Sequence, residues 1–174
     1  MFEALRKRSA IAGLKQWLSS QKRDRRTSSL EKAAVIAIAF DATTDKTRKE
    51  VEDWAAELAK NGKKIKLLGF FNDKKAPAKT PDFPFFFAKE TNWDYSPKSE
   101  KALAFIGEKA DLLLVLNPKQ LLPVEWIAAR HKAAMKIGMH TENPHDFDLQ
   151  IEIPADKGVP FFAQQLRLYL DKIK

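Results

Sequence analysis

Residues 40–45 read FDATTD, where an aspartate closes an apolar run and two threonines follow it. A carboxylate so placed can accept a phosphoryl group. The Thr43 and Thr44 hydroxyls, with the amino terminus of a following helix, can hold a phosphate. Phosphoryl transfer asks for more: a second carboxylate for the metal and a lysine for the developing charge. The position two residues beyond Asp41 is Thr43, not an acid, and no glycine-rich phosphate loop follows the run. The first reading of Asp41 and Thr44 is therefore a turn that caps the next helix. The second makes Asp41, Thr43, Thr44 and Asn117, which ends a later apolar run, the edge of an enzyme that binds a small molecule or nucleotide phosphate.

Residues 139–148, MHTENPHDFD, hold His140, Glu142, His145, Asp146 and Asp148. These are metal-ligand types, but no HExxH or comparable spacing orders them, so a polar loop is expected and no metal site is assigned. His131 stands on an expected helix beside Arg130, Lys132 and Lys136, whose charges should lower its pKa, which is unhelpful for an acid but tolerable for anion contact. No serine has a recognisable histidine and acid partner, so a hydrolytic triad lacks support. With no cysteine in 174 residues, disulfides, thiolate metal sites and cysteine nucleophiles fall together, and a reducing, cytoplasmic setting is expected. No catalytic residue and no cofactor are assigned.

Charge placement says more than any motif. The formal net charge is +8, yet residues 1–32 hold nine Lys and Arg against three acids, while the rest hold 22 against 20. A segregated basic segment is the usual mark of a polyanion partner. The cations expected to meet phosphate are Arg6, Lys7, Arg8, Lys22, Arg23, Arg25 and Arg26. A membrane-surface helix would need a broader apolar face than Ile11, Leu14, Trp17 and Leu18 provide. The early cluster of charge resembles a signal peptide, but the apolar stretch behind it is six residues long and stops at Lys15, and no segment reaches bilayer length.

The elements that must position these residues follow from periodicity. Residues 3–26 read as one amphipathic helix, and "TSS" at 27–29 as its connection to the body. AAVIAIAF (33–40), KKIKLLGFF (63–71) and DLLLVLN (111–117) are continuous apolar runs of the kind that form strands buried on both faces. Between the first two, Val51, Trp54, Ala55 and Leu58 repeat at helical intervals, with Thr47 and Glu50 in capping-box spacing. That strand-helix-strand unit implies parallel pairing with a right-handed crossover. Residues 72–94 hold three prolines and the aromatic run FPFFF (83–87), which predicts a long loop and then a short antiparallel or edge strand. The aromatic run is expected in the core, with a partner-binding loop as the other possibility. Ser96 and Pro97 open the next expected helix, with Leu103 and Ile106 inward; Pro123 opens another. KIGM (136–139) and DLQIEI (148–153) read as short strands, the second at an edge. The last helix starts near Val159 and repeats Phe162, Leu166, Tyr169 and Ile173.

FDATT, KLLGFF, NWDYSPK, DLLLVLNP, AARHKAAMKIG and DLQIEI together resemble a family of small basic proteins of the Bacteroidota known as a domain of unknown function. The resemblance spans nearly the whole chain. It implies an α/β fold of that family and no activity, so no residue is assigned a role on its account.

The expectation is a single α/β domain over 33–174, an open, mostly parallel three-layer sheet of flavodoxin-like or TIR-like kind, carrying a basic helical arm over 1–32. Its expected function is non-catalytic: contact with RNA or a ribosomal particle through the arm, whose removal should leave a folded body. A phosphate-binding enzyme and a protein-interaction domain are the alternatives. A basic patch continuous with the carboxyl edge of the sheet would favour the enzyme; a patch on a protruding helix, with an empty and shallow edge, would favour the RNA-binding reading.

Overall fold

A six-stranded, wholly parallel sheet forms the middle layer of the molecule. The computed structural model describes residues 1–172. Ile173, the last member of the apolar repeat expected in the final helix, lies outside them.

The chain begins with α1 (Phe2–Ser20), passes through an irregular segment with a turn at 30–32 to β1 (Val35–Asp41), and makes α2 (Asp45–Lys60) and β2 (Lys64–Phe71). A long loop leads to β3 (Phe85–Phe87) and a single 3-10 turn (Ala88–Glu90), followed by α3 (Glu100–Gly107) and β4 (Leu112–Leu116). Then come α4 (Leu122–Arg130), β5 (Met135–Met139), β6 (Leu149–Ile151) and α5 (Val159–Asp171). The strand order is β3-β2-β1-β4-β5-β6. Without the three-residue β3, the other five strands follow the flavodoxin-like order, which reverses direction between β1 and β4.

β1 and β4 lie at the centre because both faces of each are apolar. Ile36, Ile38 and Phe40 of β1 join Leu112, Leu114 and Leu116 of β4 beneath α2 and α5. The alternate residues Ala37, Ala39, Leu113 and Val115 pack beneath α3 and α4. The small alanines of β1 let Phe105, Val124 and Ile127 approach the sheet on that side. FPFFF is core rather than partner surface, since Phe83 and Phe86 are buried against Phe40 and Phe70 with centroid separations of 5.3 and 4.8 Å. Gly69 makes this possible: a Cβ there would sit 2.5 Å from the Phe83 ring.

Several local expectations need correction. β3 is an edge strand as expected, but it pairs parallel to β2. The cap of α2 is Thr44, which accepts from the Thr47 amide at 3.3 Å, so the Thr47–Glu50 pair lies inside the helix. α3 starts at Glu100 behind Ser99, whose hydroxyl accepts from the Ala102 amide. Ser96 instead donates to Asp94 in the preceding loop. With the helix in that frame Phe105 is buried and Leu103 is 45% exposed, reversing the expected orientation of Leu103.

The amino-terminal segment differs most from expectation. α1 stops at Ser20 rather than Arg26, with Ser19 and Ser20 hydroxyls turned back onto the carbonyls of Gln16 and Trp17. Such local bonds compete with continued helix. α1 lies on α4 and forms a third apolar cluster of Ala10, Leu14, Leu122, Trp126 and Ala129. Gly13 sits at the crossing, where a Cβ would come within 3.0 Å of the Trp126 ring. The Trp126 indole N–H also donates to the Asp94 carbonyl at 2.9 Å, tying α4 to the 91–97 loop. Beyond α1, the Arg26 amide of the irregular segment donates to the Ala134 carbonyl just before β5.

Candidate functional site

The seven cations expected to form one phosphate-binding arm are dispersed by this path. Arg6 is tied to the 91–95 loop: its guanidinium donates to the carbonyls of Trp93 and Asn92 and to the Thr91 hydroxyl, and stacks 3.8 Å from the Tyr95 ring centroid. Lys7 and Arg8 are exposed on α1, and Lys7 faces the carboxyl edge of the sheet together with Lys119. Lys22, Arg23, Arg25 and Arg26 lie beyond α1, at the opposite, amino edge.

Arg23 is turned inward. Its Nε and Nη2 pair with Asp146 and Asp148 at 3.3 and 3.0 Å, its Nη1 donates to the Ala133 and Ala134 carbonyls, and its side chain is 5% exposed. A guanidinium with every face committed is a clasp between the amino-terminal segment and the body, not a free phosphate contact. Lys136 completes the cluster. It is fully buried, and its ammonium donates to Asp146 at 3.0 Å and to the Ala128 and Ala129 carbonyls at the end of α4. Burial pulls its pKa down to about 8, against the pull of Asp146 upward. Arg25 pairs with Asp148 at 3.0 Å but remains half exposed.

Lys22 and Arg26 are left exposed, and the body adds Lys109, Arg130 and Lys132 beside them. Arg26, Lys109, Arg130 and Lys132 line a cleft of about 960 Å³ with Trp17, Leu103 and Ile106 on its walls. Three acids also line it, but two are committed elsewhere. Asp111 accepts from the Ala34 and Val35 amides at 2.9 Å, and Glu108 pairs with Lys66. Arg130 lies against both the Trp17 and Trp126 rings, 5.2 and 5.1 Å from their centroids. A half-buried indole with a guanidinium on it, ringed by free cations, can stack a base and neutralise phosphates.

The other residues singled out are accounted for by local structure. Asp41 is buried and accepts from the Thr43 amide and hydroxyl at 3.0 and 2.5 Å, while the Thr43 hydroxyl accepts from Asn72. Thr44 caps α2. Asn117 is buried, donating to the Leu121 carbonyl and to Glu125 and accepting from the Leu121 amide, so it builds the β4–α4 turn. His131 follows the last residue of α4. It is buried and accepts from the Ala133 amide, and its pKa falls to about 4 chiefly through burial, with the Lys136, Lys66 and Arg23 charges adding to it. Burial withdraws it from anion contact. Among the described residues no three His, Asp or Glu side chains converge as a metal site. No described helix is long and apolar enough to cross a membrane.

Lys109 stands among acids in the sequence, and Lys132 figures there only as a neighbour of His131. Only their approach to the Trp17 end of α1 makes them part of a basic face.

The model of a family of unknown function, DUF6913, matches residues 6–173. The chain belongs to this family. The DUF6913 match takes in α1 from Arg6 onward together with the sheet and all the cations of the amino-edge cleft. No curated protein and no solved structure matches the chain.

Proposed function

We propose that this DUF6913 protein is a non-catalytic RNA-contact protein, and that its binding face is the amino-edge cleft rather than a free arm. Phosphates lie against Lys22, Arg26, Lys109 and Lys132, and an unpaired base lies against Trp17. The observation that carries the reading is the gathering of exposed cations from three separate segments around one half-buried indole. Single-stranded RNA suits such a face because its bases can be splayed onto aromatic rings. Phosphate contacts position a chain and carry little sequence information, so broad sequence tolerance is expected. A ribosomal particle is one partner of this kind, and either partner places the protein in the cytoplasm.

The test is affinity purification from native cells with and without RNase, for the wild type and for the combined variant R26A/K109A/K132A. RNA should co-purify with the wild type, and the variant should recover several-fold less. Equal recovery from both proteins would contradict the reading.

A further inference from the structure

The opposite edge of the sheet carries a second cleft, of about 690 Å³, that neither the RNA reading nor the family match assigns. It lies over the carboxyl ends of β2 and β4, beside the point where strand order reverses, which is where open parallel sheets hold their ligands. Its volume falls within the range of small-molecule sites, roughly 300–1,000 Å³.

Its lining cations come from three segments: Arg6 and Lys7 from α1, Lys74 from the loop after β2, and Lys119 from the β4–α4 turn. Glu3 and Asp73 are the acids on its wall, so cations outnumber acids by two. Asp73 is partly spent, accepting from the Lys75 amide at 3.0 Å. Arg6 is fixed by its bonds to the 91–95 loop, whereas Lys7, Lys74 and Lys119 are exposed and form no ion pair among those the structure describes.

An independent observation lies in the backbone. Among the described residues, the non-glycine positions with positive φ are Tyr95 (67°) and Gln120 (53°), and both line this cleft. A side chain in that region is strained and persists where its surroundings impose it. Gln120 is so imposed: its side-chain oxygen accepts from Thr141 and from the Glu142 amide, and its carbonyl accepts from Asn143. Tyr95 is held beneath the Arg6 guanidinium. The apolar floor that solvent partly reaches is Ile11 and Leu121, while Phe70, Leu122 and Pro123 are buried.

We infer that the carboxyl-edge cleft binds a small phosphate ester, with the phosphate between Lys7, Lys74 and Lys119 and the remainder of the molecule on the apolar floor. No covalent step is involved, because the cleft holds no nucleophile with a base beside it. The ligand is of mononucleotide or sugar-phosphate class, since the lysines meet only the phosphate and the floor demands a further group.

Calorimetric titration of the full chain tests this with three probes: inorganic phosphate, a mononucleotide and a sugar phosphate. One of the two esters should bind at least tenfold more tightly than inorganic phosphate. K74A/K119A should weaken that ester at least tenfold, and R26A/K109A/K132A should leave it unchanged. The last comparison separates this site from the RNA face. The inference is overturned if neither ester binds at millimolar concentration, if inorganic phosphate binds as well as the esters, or if K74A/K119A binds like the wild type. Both lysines are exposed, and matching thermal unfolding of variant and wild type shows that the fold is kept.

Discussion

Arg23 and Asp146 meet across 123 residues of sequence as an ion pair of 3.3 Å, with the arginine almost wholly out of solvent. The pair joins the irregular amino-terminal segment to the approach to β6, and Lys136 shares the same carboxylate. Removing the guanidinium leaves Asp146 with Lys136 alone and Asp148 with Arg25 alone, and takes the donor from the Ala133 carbonyl, so the loss falls at the lower end of the about 3–5 kcal/mol that breaking a buried pair costs. Arg23→Gln should therefore lower unfolding free energy by about 3 kcal/mol in urea denaturation. Arg25→Gln, whose side chain is 55% exposed, should change it by less than about 1 kcal/mol. Equal effects of the two would show that Arg23 is not a clasp.

The same clasp governs truncation. Deleting residues 1–29 strips Arg23 from Asp146 and Asp148 and uncovers Leu122, Trp126 and Ala129 on α4. The shortened chain should aggregate or unfold at a much lower temperature. The sequence alone favoured the opposite outcome, because it counted the charges of the segment but could not see that α1 covers α4. A soluble body with an unchanged thermal midpoint would contradict the packing described.

Ile36 tests the sheet. It is fully buried in β1, which pairs with β2 on one side and β4 on the other. Ile36→Asp places an unpaired carboxylate in that layer at a cost of several kcal/mol, comparable to the whole stability of an ordinary domain. The variant should show no cooperative unfolding transition by circular dichroism.

Strands were the legible part of the chain. β1, β2 and β4 announced themselves because a run apolar on both faces has few other places to be. β3 did not reveal its direction, since a three-residue strand has little pattern and the path of the long loop before it decides the pairing. Leu103 was misplaced because two frames of a two-turn helix differ by little until Ser99 is known to be the cap. At the candidate site, the sequence displayed Lys22 and Arg26 but grouped them with Arg6 and Lys7, which the full length of α1 separates. Arg23 looked like its neighbours, and only Asp146 and Asp148, far along the chain, distinguish it.

Glu125 supplies a pH signature. Burial raises its pKa to about 7, opposed by hydrogen bonds from Thr141 and Asn117. The folded state thus binds a proton that the unfolded chain releases between about 4.5 and 7, so this group's contribution to stability falls as pH rises through that window. Glu125→Gln removes the penalty while keeping an oxygen to accept from Asn117. The variant should be more stable than wild type by about 3 kcal/mol at pH 8, with the gain shrinking by more than half at pH 5. Urea titrations at the two pH values check this, and a gain that is the same at both would contradict the assignment.

The central claim is that the amino-edge face binds RNA through phosphate contacts, and salt dependence measures it most directly. Fluorescence anisotropy of a labelled single-stranded RNA, titrated between about 50 and 200 mM salt, gives the slope of log affinity against log salt, about 0.7 per phosphate contact. Four contacts, from Lys22, Arg26, Lys109 and Lys132, predict a slope near −3 for the wild type. R26A/K109A/K132A should reduce it to about −1 and weaken binding at every salt concentration. A wild-type affinity that ignores salt, or a variant whose slope and affinity match the wild type, would contradict the account.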